Sequence, residues 1–203
     1  MKLSIIIPVY ITENDNYRNF RNLMTELLRQ KNLYPDTEII CIDDDSPMRP
    51  DYPEGVSVLY KANEGCANAR NEGLCLAVGE WITFIDCDDM IAPNYLETIH
   101  RYLDDKYKYI SWDWVFNNGK PSRQYTPGYR NNAVWAYAFR RDIIGDKKFD
   151  PTIKDGSDDI DFVKRVISPA FMRHKDLPDV LYVYYWYGNE NSILHRVLRG
   201  ELI

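Results

Sequence analysis

The sequence predicts an α/β protein: a mostly parallel central sheet flanked by helices. Three observations carry that expectation. Short apolar runs alternate with stretches of helical periodicity. Two of those runs end abruptly in carboxylates, as strands do where a parallel sheet turns its carboxyl edge toward a ligand. The chain has 203 residues, 45% apolar and 28% charged, which is the balance of a globular protein and not of a disordered or fibrous one.

Leu3 to Val9 is a β-branched run closing around Pro8, and it reads as a buried strand. Phe20, Leu23, Met24, Leu27 and Leu28 recur at helical spacing and predict an amphipathic helix over 17–30. A second strand, 38–42, runs into Asp43-Asp44-Asp45-Ser46-Pro47, and a short third covers 56–60. Residues 67–77 form a helix of small residues. A fourth strand, 80–85, stops at Asp86-Cys87-Asp88-Asp89. A helix over 94–103 has Pro93 near its start. Tyr109 to Phe116 is a strand bearing Trp112 and Trp114. Residues 119–132, rich in Gly, Pro, Asn and Ser, read as a loop. Helices follow over 133–141 and 158–166, then an aromatic strand over 181–187. There is no internal repeat, low-complexity segment or flexible linker, so a single domain over 1–203 is expected, with a change of character near residue 110.

Twenty-five basic against 31 acidic residues give a net charge of −6, which argues against a phosphate-neutralising nucleic-acid coat. No apolar run approaches the ~20 residues that span a bilayer. The N-terminus lacks a small-residue cleavage site, so no signal peptide is expected. The four cysteines, Cys41, Cys66, Cys75 and Cys87, form no C-x-x-C pair and read as reduced thiols of a cytosolic protein. Sixteen tyrosines and five tryptophans suit either a surface that stacks on flat rings or the core.

Four acidic or polar clusters could carry chemistry. Asp86-Cys87-Asp88, on a turn after a strand, could hold one hard cation and leave coordination sites open for phosphate oxygens; a solvated turn with a capping Asp explains it as well. Asp43-Asp44 could accept a hydrogen bond from a base N–H, or could form an Asx-turn before Pro47. Asn63-Glu64-Gly65 and Ala67-x-Ala69-Arg70-Asn71-x-Gly73 offer small residues for close approach, and Arg70 could pair with phosphate or neutralise nearby carboxylates. Asp158-Asp159 could simply favour a helix N-terminus; beside a cleft, one of the two could take a proton from an attacking hydroxyl, with its neighbour raising its proton affinity. His195 follows the aromatic strand and could cap a metal or be inert. His100 and His174 have no partner pattern. Tyr125, Tyr129, Trp112, Trp114 and Trp135 could line an acceptor side or fill the core.

Taken in order, these segments resemble a family 2 glycosyltransferase of the GT-A fold, along nearly the whole chain. Ser4-Ile5-Ile6-Ile7-Pro8-Val9-Tyr10 resembles the opening strand, whose aromatic residue packs near the nucleotide base. Residues 38–46 resemble the strand ending in the base-binding Asp. Asn63-Glu64-Gly65 with Ala69-Arg70-Asn71-x-Gly73, and Gly79 through Asp89, match the next two blocks. Trp135 to Arg141 is similar to the helix before the catalytic segment, and Asp158-Asp159-Ile160-Asp161-Phe162 resembles Glu-Asp-x-x-Phe. The resemblance implies a Rossmann-like nucleotide-sugar half over 1–110 and an acceptor and catalytic half over 111–203. It implies donor contacts from Pro8, Tyr10, Asp43, Asp44, Asn63, Arg70, Asp86 and Cys87. It implies Mn2+ or Mg2+ on Asp88, with Asp89 and His195, and catalysis by Asp159 with Asp158. The expected reaction is inverting transfer from a nucleotide-diphosphate sugar, a UDP-sugar, to a hydroxyl of a saccharide, lipid-linked sugar or other acceptor. The end of the chain soon after His195 suggests one sugar added per cycle, in the cytoplasm or at the inner face of a membrane.

Departures from the family pattern are Ile11 for Asn, Asp45 for Gly, Tyr137 for Lys and Asp158 for Glu. Two other functions remain open. One is a sugar-nucleotide-binding module without turnover. The other is nucleotidyl transfer onto a sugar phosphate, for which the acidic 11–15 segment replaces the expected Gly-rich basic loop.

Overall fold

The computed structural model describes residues 1–118, 132–167 and 172–185. Among these, eight strands form one sheet in the order β3-β2-β1-β4-β7-β6-β8-β5. The strands are β1 (Leu3–Val9), β2 (Thr37–Asp43), β3 (Ser57–Tyr60), β4 (Trp81–Phe84), β5 (Met90–Ile91), β6 (Tyr109–Phe116), β7 (Tyr137–Arg140) and β8 (His174–Tyr184). The helices are α1 (Asn14–Lys31), α2 (Cys66–Leu76), α3 (Tyr95–His100), α4 (Arg141–Ile144) and α5 (Asp158–Ile167). β1 to β4 are mutually parallel, β7 runs antiparallel between β4 and β6, and β8 is parallel to β6.

The chain builds β1, β2 and β3 outward in one direction and then returns to lay β4 on the other side of β1. That reversal opens a crevice beyond the carboxyl ends of β1 and β4. β1 is buried at every position, as a strand covered on both faces must be. Pro8 is tolerated there because β1 pairs with β4 only as far as Ile6↔Phe84, so the missing N–H lies past the last rung on that side.

One face of the sheet carries α2 and α5: Phe84 meets Phe149 and Phe162 edge-on at 5.2 and 6.0 Å. The other carries α3: the Thr83 hydroxyl lies 3.3 Å from the Tyr95 hydroxyl. α2 sits so close to β1 that a Cβ at Gly73 would fall 2.3 Å from Cγ2 of Ile6, which is why the helix is made of small residues.

One expected element is corrected. Residues 133–141 are not one helix but a 3-10 turn over Val134–Ala136, strand β7 and the start of α4. Trp135, Tyr137 and Phe139 alternate with Ala136 and Ala138, a period of two that belongs to a strand and outweighs alanine's helix preference. β8 begins well before the expected 181, α3 is shorter than 94–103, and β5 was not expected. No helix among the described residues is long and apolar enough to cross a membrane.

Candidate active site

The carboxyl edge gathers most of the expected residues. At the end of β2, the buried Asp43 accepts from the Ser46 amide and the Tyr52 hydroxyl, both at 2.8 Å. These bonds shape the turn after the strand and leave Asp45 at φ 65, the left-handed region where glycine is the usual occupant and Asp is among the few side chains tolerated. Asp44 Oδ1 accepts from Lys61 Nζ at 2.8 Å and from the Glu64 amide at 3.0 Å, while Oδ2 accepts from the Gly65 amide at 2.7 Å. Asp44 thereby folds the 61–65 segment, Asn63 included, over the end of β2. Gly65, at φ 91, turns that segment into α2. Tyr10 is 44% exposed at the end of β1.

The turn after β4 is braced from two directions. Arg70, on α2 and 5% exposed, donates Nη2 to Asp86 Oδ1 at 2.8 Å and Nη1 to Asp158 Oδ2 at 3.1 Å. Tyr182, on β8, accepts the Asp86 amide at 3.1 Å and donates its hydroxyl to Asp89 Oδ2 at 2.5 Å. The other Asp89 oxygen accepts the Tyr185 amide at 2.6 Å. Both oxygens of the buried Asp89 are therefore held by the protein, whereas Asp88 is half-buried at the same turn. Burial raises the Asp89 carboxyl well above the usual range, and the neighbouring Asp88 and Asp86 charges add to it. Burial likewise raises the Cys87 and Cys66 thiols, leaving both protonated at neutral pH.

Asp159 opens α5 next to Asp158. Its Oδ2 faces the Val134 amide at 3.4 Å. Burial pushes its carboxyl up from 3.8 to about 7; Arg70 opposes the shift, and Asp158 and Asp86 reinforce it. Asp86, Asp158 and Asp159 thus share one electrostatic neighbourhood around Arg70. Trp135 stacks on Tyr182 at 4.5 Å and 7°, and Trp114 meets Trp135 edge-on at 4.7 Å. Trp112 and Trp135 are core residues at 1% and 5% exposure, and Trp114 is partly buried.

His195, Tyr125 and Tyr129 lie outside the described residues. Among the described residues, no three His, Cys, Asp or Glu side chains gather as a complete metal site. Asp86 and Asp88 do supply two hard oxygen donors on one turn, which suits a cation of the magnesium or manganese kind completed by phosphate oxygens and water. Lys61, Tyr52 and Tyr182 escaped the sequence reading. Lys61 directly follows a strand that ends beside an acidic cluster, and that adjacency was the available signal.

The model of glycosyl transferase family 2 matches residues 4–168. The Escherichia coli glycosyltransferase YibD is 28% identical over an alignment that covers 96% of this chain and 64% of that protein. The crystal structure of S. aureus TarS in complex with UDP-GlcNAc superposes with a TM-score of 0.73 at 21% identity, over 92% of this chain and 59% of that one. The mannosyltransferase PcManGT of Pyrobaculum calidifontis, in complex with GDP-Man and Mn2+, gives 0.62 at 17% identity, over 90% and 56%. These two likenesses establish the fold, which is GT-A. The chain spans less than two thirds of the length of each of these proteins.

Proposed function

The chain belongs to glycosyl transferase family 2, and from that premise we propose that it transfers a sugar from a UDP-sugar to an acceptor hydroxyl, with inversion at the anomeric carbon. One observation carries the reading. Arg70 binds Asp86 and Asp158 at once, so the end of β4 and the start of α5, far apart in sequence, meet at the crevice where β1 and β4 diverge.

In this reading residues 1–110 hold the donor and 111–203 the acceptor. Pro8, Tyr10, Asp43, Asp44 and Asn63 surround the base, while Asp86 and Cys87 face the ribose side. Asp88, with Asp86, holds Mn2+ or Mg2+; when bound, the cation offsets the charge of the departing diphosphate. Asp89, saturated by Tyr182 and Tyr185, keeps the turn in shape. Asp159 takes the proton of the acceptor hydroxyl as its oxygen bonds to the anomeric carbon. The bond from that carbon to the diphosphate breaks, and its electron pair leaves with the diphosphate. A carboxyl raised to about 7 suits a base working near neutral pH. In this reading the reaction takes place in the cytoplasm or at the inner face of a membrane. The TarS complex with UDP-GlcNAc supports uracil as the base, and the GDP-Man complex of PcManGT makes GDP-sugars the comparison to run.

The test is a donor panel with Mn2+, read as released nucleoside diphosphate. UDP release that is abolished by chelator and by Asp159→Asn supports the proposal. Tight donor binding without release from any donor would reassign the chain to a binding module, and pyrophosphate release from a nucleoside triphosphate would reassign it to nucleotidyl transfer.

A further inference from the structure

Two carboxylates open α5, and their surroundings differ. Asp158 is 8% exposed and ion-paired with Arg70 at 3.1 Å. Among the described residues Asp159 has no cation within bonding distance, and it meets the Val134 and Ile160 amides at 3.4 and 2.7 Å. We propose that Asp158 is a positioning residue: through Arg70 it ties the first turn of α5 to the Asp86 turn, and this strut sets the distance from the departing diphosphate to Asp159. The inference rests on the transferase reading and assigns a task to the one of the two α5 acids that cannot serve as base without breaking its ion pair.

The chemistry of the strut favours placement over stability. A guanidinium is a rigid planar fork, so carboxylates on its two arms are held at a set separation that a lysine, as a point charge, could not impose. The arrangement is not optimised for stability. Arg70 Nε is buried with no partner among the described residues, which costs free energy, and buried ion pairs are often replaceable by apolar packing. The Arg70 guanidinium also lies 5.4 Å from the centre of the Phe149 ring, which fixes its plane. What the arrangement secures is a fixed span between two segments, Asp86 and Asp158, drawn from opposite parts of the chain.

The experiment compares Asp158→Asn, Asp158→Glu, Arg70→Lys and the Arg70→Lys/Asp158→Asn double variant. UDP affinity is read by calorimetry, and turnover as UDP released from the best donor. Asp158→Asn and Arg70→Lys should each lower kcat at least 30-fold. In Asp158→Asn, UDP affinity and acceptor KM should stay within about threefold of the parent, whereas Arg70→Lys, which also releases Asp86, should weaken UDP as well. Asp158→Glu, which restores the charge, should recover kcat to within about fivefold. The double variant should be no slower than the worse single one, because one strut can be cut only once. Unchanged kcat in Asp158→Asn, losses that multiply in the double variant, or no rescue by Glu would each overturn the proposal. If the parent chain releases no nucleoside diphosphate from any donor, the transferase reading fails. The strut is then judged by hydrogen exchange: equal loss of protection over 159–162 in Arg70→Lys and Asp158→Asn supports it, and unchanged protection overturns it.

Discussion

The hydroxyl of Tyr182 donates to Asp89 at 2.5 Å while the same oxygen accepts the Asp86 amide at 3.1 Å. One phenol from β8 therefore braces the turn after β4 independently of Arg70. The bond to Asp89 falls on a carboxylate that is 1% exposed, where an unmet acceptor costs about 1–3 kcal/mol. Tyr182→Phe should lower stability by about that much in chemical denaturation. It should also raise the Mn2+ concentration needed for half-maximal turnover several-fold, because Asp88 shares the turn. An unaltered metal requirement would detach Tyr182 from the metal turn.

Asp159 offers a pH test in the chain without added cation. Its carboxyl lies at about 7 when folded, against 3.8 ordinarily, under burial, Asp158 and Asp86, with Arg70 opposing. Between those values the folded chain holds a proton that the unfolded chain has lost. The contribution of Asp159 to stability therefore falls as pH rises from roughly 4 to roughly 7, and is flat above. Asp159→Asn should remove that part of the slope in urea unfolding measured across the window. In turnover the sign reverses: activity should rise with pH through neutrality as the base ionises, and Asp159→Asn should lower kcat by about 10²–10⁴. A bound cation next to Asp86 would move the midpoint down.

How much of this was legible in the sequence depends on how local the cause is. β1 and β6 were legible to the residue, and β2 nearly so, because β-branched and aromatic runs specify buried strands by themselves. β7 was not, since its alanines favour a helix and only its neighbours β4 and β6 make the alternation of Tyr137 and Phe139 decisive. Asp43, Asp86 and Asp158 could be named from their positions at element ends. Arg70 could be named as a neutraliser of nearby carboxylates, which its pairs with Asp86 and Asp158 bear out; that it reaches Asp158 across 88 positions, and that Tyr182 reaches Asp89 across 93, no short-range pattern encodes. Asp45 departs from the glycine of the family pattern, but its φ of 65 shows that the turn keeps the glycine-like conformation.

Lys61 is the cation that meets Asp44, with side-chain exposures of 12% and 5%. Lys61→Met would leave Asp44 with the Glu64 and Gly65 amides as its partners among the described residues. The partly compensated charge should cost about 1–3 kcal/mol, below the 3–5 of a fully orphaned buried ion. Because the same carboxylate holds the 61–65 segment over the end of β2, where the proposed function puts the base, UDP affinity in calorimetry should fall about tenfold, while kcat at saturating donor changes less than threefold. A loss confined to kcat would place Lys61 with the chemistry instead of the base.

The close approach of α2 to the sheet at Gly73 sets a steric limit. A Cβ at Gly73 would stand 2.3 Å from Cγ2 of Ile6, inside a strand that cannot move because it pairs with both β2 and β4. Gly73→Ala gains helix propensity of roughly 1 kcal/mol, yet overpacking costs about 1–3, so the net effect should be destabilising. α2 also carries Arg70, so displacing the helix should loosen the Asp86 turn, and kcat should fall along with the melting temperature. Ile6→Val keeps Cγ2, whereas Ile6→Ala removes it together with Cγ1, the two side-chain atoms nearest the added methyl. Ile6→Ala in the Gly73→Ala background should therefore be less harmful than in the parent chain, a coupling readable in a double-mutant cycle of unfolding free energies. Strict additivity would show that α2 relieves the clash by moving and not by pressing on Ile6.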